Sequence, residues 1–316
     1  MRMPALAVLL FLSAAPAATP IAPPVSFRVE VSGHGRPMIF IPGLSSSGDT
    51  WKTTVAHYES QYTCHVLTLA GFAGVPALRP GSGQATDGPL LSTVAEELAT
   101  YIELQHLEQP IVVGHSLGGN IALDLAARHT SLVGPLVIVD SLPFYAGAWF
   151  QAKTVDDAKP MIASMHAYMT NQTREQYEQF VRSGAATKYM VTSPADHEAI
   201  VRWGLASDQR AVADAMFELV SEDLRPRLQR VTAPTLLLGT WVGLHDQLKQ
   251  GGIDLSRASV VKTFEDQYAG LPRMHFVITD AARHFIMLDQ PAWFFQQLDE
   301  FLANPAKAID DRGFAR

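Results

Sequence analysis

The stretch Ile111-Val112-Val113-Gly114-His115-Ser116-Leu117-Gly118-Gly119-Asn120 constrains this chain more than any other. Three β-branched residues in succession suit a strand covered on both faces. Beyond Asn120, the pattern of Ile121, Leu123 and Leu125 among Ala122, Ala126 and Ala127 suits a packed helix. Ser116 then sits at the turn between them, framed by Gly114 and Gly118. Such a G-x-S-x-G turn is sharp enough to strain the serine backbone, and flanking glycines avoid clashes with the neighbouring strand and helix. The turn lifts the hydroxyl clear of the sheet and leaves it at a helix N-terminus, where the Leu117 N–H can point at an oxyanion. The pentapeptide alone also arises by chance in glycine-rich loops. The strand before it and the helix after it supply the context that a chemical reading requires.

The chain on either side repeats the alternation of buried strand and amphipathic helix. Residues 27–31 alternate like an edge strand, and 37–41 read as a buried strand that ends at Pro42-Gly43. The small-residue loop that follows, Leu44-Ser45-Ser46-Ser47-Gly48, is suited to bring a backbone N–H towards the serine, and Leu44 is assigned as that second oxyanion donor. Strands are expected at 65–69, 136–139, 234–239 and 275–279, and helices at 93–107, 259–268 and 292–302. Strands alternating with helices imply a parallel sheet covered on both faces, with the site at the carboxyl ends of the strands. Between about 144 and 230 the alternation stops. Helical patterns at 155–169, 174–183, 195–205 and 209–220 read as an insertion that caps the sheet, and its aromatic and Met residues are expected to form the insertion's own core or line an acyl pocket. The fold class is therefore α/β, a mostly parallel central sheet with helices on both faces and a helical cap.

A chain of 316 residues with an ordinary apolar and charged content can bury a large core. The formal charge of -7, with no dense Lys/Arg run, argues against a nucleic-acid surface. Residues 1–18 have Arg2, an apolar run and a small-residue site at Ala15-Pro16-Ala17, the outline of a secretory signal peptide, so a secreted or periplasmic enzyme is expected. The apolar run is shorter than the roughly 20 residues of a membrane span, and no span is expected once the signal is cleaved. The expected organisation is a signal peptide at 1–18, sheet core at 19–143 and 233–304, cap at 144–232 and a tail at 305–316. Cys64 is the one cysteine, which excludes an intramolecular disulfide, and its apolar setting predicts burial rather than reactivity.

A serine hydroxyl is a poor nucleophile at neutral pH and needs a base within hydrogen-bond reach, itself oriented by an acid. Gly43, Gly71-Phe72-Ala73-Gly74, Gly114-His115-Ser116-Leu117-Gly118-Gly119 and a late His284 stand in the order of one fold. On those residues the chain resembles a serine hydrolase of the α/β-hydrolase superfamily, over roughly 27–302. The resemblance implies Ser116 as nucleophile and His284 as general base. For the acid it leaves two candidates. Most relatives carry it after the strand that here ends near Gly239, which points to Asp246 in a long polar connection; others carry it one strand earlier, which points to Asp140. Asp140 is preferred because it ends its strand directly. Pro42 stands where His often precedes the oxyanion glycine, and Ser rather than Asp at the elbow argues against the branches whose carboxylate attacks carbon.

The expected activity is hydrolysis of a small to medium carboxylic ester or lactone through an acyl-enzyme. Acyltransferase, perhydrolase or amidase chemistry would use the same residues, and a non-catalytic binding protein on this fold would predict a broken set. The S-x-x-K at Ser259 lacks its companion motifs and is read as chance. With no His-Glu-x-x-His motif or dinucleotide fingerprint, neither metal nor cofactor is implied.

Overall fold

The computed structural model describes residues 25–78 and 89–306. The signal-peptide reading and all but the start of the C-terminal tail lie outside them. Among the described residues, a seven-stranded sheet is formed by β1 (Phe27–Gly33), β2 (Arg36–Ile41), β3 (Tyr62–Leu69), β4 (Ile111–His115), β5 (Leu136–Val139), β6 (Thr235–Thr240) and β7 (Met274–Thr279), in the order β1-β3-β2-β4-β5-β6-β7. Only β1 is antiparallel, running against β3 from Phe27 opposite Leu69 to Gly33 opposite Thr63. It occupies the edge, as its alternating sequence predicts.

The helices that follow the strands are α1 (Lys52–Tyr58), α2 (Leu90–Leu104) and α3 (Leu117–Arg128), and they sort to the two faces by the strand period of two. Val112, Leu136, Ile138 and Leu237 share one apolar layer with α2 and α3. Ile111, Val113, Val137, Val139, Leu236 and Leu238 belong to the other, with Trp51 and Tyr58 at α1. β4 and β5 are buried along their whole length, which is why their sequences are continuous apolar runs rather than alternating ones.

The insertion is helical, as the lapse in alternation predicts: α4 (Tyr145–Phe150), α5 (Val155–Thr170), α6 (Arg174–Ser183), α7 (Pro194–Ala206) and α8 (Gln209–Ser221). Its helix starts are set locally. Thr154 and Thr173 form capping boxes with Asp157 and Gln176, Ser193 caps α7 with Pro194 at its first turn, and Asp208 caps α8. Glu218 on α8 accepts the Leu90 and Leu91 N–H groups at 2.9 Å each and so caps α2 of the core from the insertion. Among the aromatic and Met side chains of the insertion, Trp149, Met161, Tyr168, Phe180 and Phe217 are exposed on the surface.

After β6 the chain departs from expectation. The polar connection is the helix α9 (Val242–Gln250), followed by α10 (Arg257–Gln267); α11 (Ile286–Asp289) and α12 (Pro291–Ala303) close the second face. The α9 sequence, Val-Gly-Leu-His-Asp-Gln-Leu-Lys-Gln, carries too few apolar residues to announce a packed face, and only Gly243 in it is buried. Two boundaries also move outward or upstream: β3 begins at Tyr62, and α2 runs from Leu90 to Leu104. Cys64 is fully buried, and burial pushes its thiol up to about 11. No helix among the described residues is long and apolar enough to cross a membrane.

Candidate active site

β4 delivers the chain to Ser116 with both sides of the strand covered, and there the backbone turns with φ 53 and ψ -120, in a region that L-residues rarely occupy. Neighbours on both sides enforce the turn. A Cβ on Gly114 would lie 2.3 Å from the Gly118 carbonyl oxygen, and one on Gly118 would lie 2.3 Å from that of Ile41 on β2. Only glycine lets strand, elbow and helix approach so closely. The Ser116 N–H donates to the Val139 carbonyl at 2.9 Å, tying the elbow to the end of β5, and Ser116 is the one residue between Ile111 and Asn120 that is not fully buried.

The sheet order places the Gly43–Leu44 loop beside this elbow. From β2 the chain leaves through α1 towards β3, and from β4 it leaves through α3 towards β5, in opposite directions and on opposite faces. A crevice therefore opens between the carboxyl ends of β2 and β4. Gly43 lies in it: a Cβ there would come 3.0 Å from His115 Nδ1 and 3.2 Å from Ser116 Cβ. Leu44 follows, half-buried, in a turn closed by the Ser46 N–H donating to the Gly43 carbonyl at 3.2 Å. Leu117 is the first residue of α3, where backbone N–H groups have no intrahelical acceptor.

Asp140 ends β5 with φ 44, its N–H donating to the Leu238 carbonyl at 2.7 Å. Its Oδ2 accepts a hydrogen bond from His284 Nδ1 at 2.6 Å, and the Thr240 N–H donates to Oδ1 at 3.3 Å. The carboxylate and imidazole are 15% and 24% exposed, enough enclosure to strengthen the contact and enough access for a substrate. Asp246 is elsewhere. It accepts from Arg283 Nη2 at 2.9 Å, while Arg283 Nη1 donates to the Lys188 and Val191 carbonyls of the insertion. The long-connection candidate thus fastens the loop that precedes His284 and does not bond to His284.

His115 is fully buried, and its Nε2–H donates to the His284 carbonyl at 3.1 Å. It holds the backbone of His284 rather than facing solvent. Burial first, and the neighbouring His284 imidazole second, push its pKa well below the ordinary value of 6.5. His65, buried against the Tyr101 hydroxyl at 2.9 Å, is lowered by burial as well. His115 is thereby neutral in the folded chain and takes up a proton near pH 6.5 on unfolding. Its share of stability is thus fully present above pH 6.5 and is lost as the pH falls from that value towards the lower folded-state value, and His65 acts in the same direction. Between pH 7.5 and 5.5 the loss is expected to reach about 1 kcal/mol for His115, read as a lower urea midpoint. A midpoint that holds steady over this range would show that this imidazole is not kept neutral.

The sequence does not announce Tyr145. Its hydroxyl lies 3.3 Å from Ser141 Oγ and faces the Ser116 hydroxyl, and burial pushes its pKa up to about 12 against the opposing pull of those two hydroxyls. Tyr268 supports it from behind by donating to the Ser141 carbonyl at 2.8 Å. The one signal available is position: Tyr145 lies six residues beyond Val139, the end of a strand placed at the serine edge.

Comparison with known proteins identifies the family and the fold. The model of the "Alpha/beta hydrolase family" matches residues 38–297. The chain is 24% identical over 283 residues to a pimeloyl-[acyl-carrier protein] methyl ester esterase of Aeromonas hydrophila, covering 88% of this chain and 100% of the relative. It is 26% identical over 280 residues to the protein of the same name from Vibrio vulnificus, covering 86% and 96%. Among solved structures, a thermophilic esterase from Thermogutta terrifontis superposes with a TM-score of 0.66 at 19% identity, over 88% of this chain and 93% of the other. An enol-lactonase from Burkholderia xenovorans superposes with a TM-score of 0.64 at 13% identity, over 88% and 96%. Similarity at these identities to the solved structures concerns the fold.

Proposed function

The chain belongs to the alpha/beta hydrolase family, and we propose that it cleaves a carboxylic ester by serine catalysis through an acyl-enzyme. The observation that carries this reading is the 2.6 Å bond from His284 Nδ1 to Asp140, at the same sheet edge as the strained Ser116 elbow. With Nδ1 engaged, Nε2 is the nitrogen left to exchange a proton. The esterase names carried by relatives that align along their whole length support the substrate class.

In this reading His284 Nε2 takes the Ser116 proton as Oγ attacks the carbonyl carbon. The carbonyl π electrons move onto oxygen, and the N–H groups of Leu44 and Leu117 stabilise the resulting oxyanion. The tetrahedral intermediate collapses, the C–O bond to the alcohol breaks, and the imidazolium gives its proton to that oxygen. Water, deprotonated by His284, then attacks the acyl-enzyme. A second collapse releases the carboxylic acid and returns the proton to Ser116. Asp140 stabilises the imidazolium at each stage and holds the ring in the productive tautomer. The insertion over the sheet edge would set acyl length, and lactones remain within reach of the same machinery.

Two measurements test this. A fluorophosphonate probe should add to Ser116, found by mass spectrometry of the labelled peptide, and a series of p-nitrophenyl esters from acetate to decanoate should show turnover with an optimum chain length. Added methanol should divert part of the acyl group to a methyl ester if transfer competes with hydrolysis. A folded chain that neither reacts with the probe nor turns over any ester would overturn the proposal and favour a ligand-binding role on this fold.

A further inference from the structure

Resting on the reading of Leu44 as an oxyanion donor, we propose that Ser207, at the end of α7 in the insertion, is a positioning residue that holds this donor in place. Catalytic competence is then a joint property of the sheet edge and the insertion.

The oxyanion loop is held by more than its own bonds from the Ser46 N–H to the Gly43 carbonyl and from Ser46 Oγ to the Leu44 carbonyl. Ser45, whose backbone is joined to Leu44 by one peptide unit, has φ 57 although it is not glycine. A non-glycine residue keeps such a conformation only where its surroundings impose it. Support comes from the insertion: Ser45 Oγ donates to Ser207 Oγ at 3.0 Å, and the Tyr177 hydroxyl of α6 also meets Ser45 Oγ. Ser207 is 2% exposed, and its hydroxyl is fully used: it also accepts from the Ala73 N–H at 2.9 Å and donates to the Trp203 carbonyl at 2.8 Å. Ala73 is itself left-handed, with φ 45, in the turn that follows β3. One buried hydroxyl from the insertion thus ties down two strained turns of the sheet edge.

The segment that carries Ser207 is anchored on every side. The Gly74 N–H donates to the Ala206 carbonyl at 3.0 Å, and the Asp208 N–H donates to that of Gly71 at 2.7 Å. From α6, Arg174 donates to the Ser207 and Leu205 carbonyls, and the Tyr177 hydroxyl donates to that of Gly204 at 3.0 Å. A buried polar group with so many fixed partners is a rigid reference point. Oxyanion donors act only when aimed before charge develops, so a rigid prop at Ser45, one residue beyond the Gly43–Leu44 peptide that carries the donor N–H, serves the transition state rather than substrate binding. Ser207 touches neither substrate nor reacting atoms in this account. It acts through Ser45 on the direction of the Leu44 N–H.

The test compares Ser207→Ala, Ser45→Ala and the double variant with the parent chain, using p-nitrophenyl butyrate turnover and inhibition by phenylboronic acid. Phenylboronic acid adds to a catalytic serine as a tetrahedral species and places an oxygen where the oxyanion forms. Ser207→Ala is expected to lower kcat about tenfold with KM within about twofold, less than the 100- to 1,000-fold that loss of an oxyanion donor costs. The boronate inhibition constant should weaken by the same factor, and the double variant should lose no more than the worse single one, since both remove one shared interaction. If Ser207→Ala does not fold, Ser45→Ala decides, because it leaves the Ser207 bonds to Ala73 and Trp203 in place. Folded variants with unchanged kcat, or a fall in kcat with unaltered boronate inhibition, would overturn the inference. Ser116→Ala run alongside separates the two readings: turnover that survives it removes the serine mechanism itself, whereas turnover lost only there leaves that mechanism standing without the Ser207 prop.

Discussion

Ser116→Ala is expected to reduce kcat for a short p-nitrophenyl ester by about 10⁴- to 10⁶-fold, the range seen when the nucleophile of a serine hydrolase is removed. The substitution deletes one oxygen and retains Cβ. The elbow at φ 53 and ψ -120 is imposed by its packing against Gly114 and Gly118, and an alanine there meets the same surroundings as the serine. Thermal stability should therefore change little, and the kinetic loss can be read as chemistry. Steady-state turnover of the purified variant, with its melting temperature measured beside the parent, decides the matter. Residual activity above about one part in a hundred would require another nucleophile and would remove Ser116 from the mechanism.

Asp140→Asn is expected to lower kcat by about 10⁴-fold, while Asp246→Asn stays within about tenfold of the parent. Asparagine at 140 retains the size of the side chain and tolerates the left-handed backbone found there at φ 44, so the fold is preserved. What it loses is the negative charge that stabilises an imidazolium, and the amide also permits the wrong ring tautomer. Asp246 meets Arg283 in a pair that is 34% and 22% exposed, and Arg283 keeps its bonds to the Lys188 and Val191 carbonyls when that carboxylate is neutralised. The expected effect is a modest loosening of the loop before His284. The two variants assayed under one set of conditions give a direct comparison. Mild and similar losses in both would remove the acid from the proposed mechanism, and the reverse ranking would move the role to Asp246.

Ser207 and His115 make contacts around the candidate site that are remote along the chain. His115 sits next to the serine in sequence, yet its bond is to the backbone of His284, 169 positions away. Ser207 belongs to a helical insertion with no sequence motif, yet its hydroxyl reaches Ser45 across 162 positions. Neither contact could be anticipated from composition or periodicity. Both arise where loops from different strands converge on one edge of the sheet.

The sequence alone determined the α/β class, the central strand and its elbow, the helical insertion, and the candidacy of Ser116 and His284. These are carried by neighbours along the chain: β-branched runs, glycines flanking a turn, helical apolar spacing in the insertion, and an apolar face on the last helix. The helix after β6 escaped because it hides only Gly243, and an exposed polar helix has no periodic apolar signal. Tertiary structure alone decided which carboxylate reaches His284. Asp140 and His284 stand 144 positions apart, and both candidate acids sit near strand ends that face the same edge. A 2.6 Å contact depends on the order of β5, β6 and β7 across the sheet and on the left-handed turn at Asp140, which no local pattern of residues encodes.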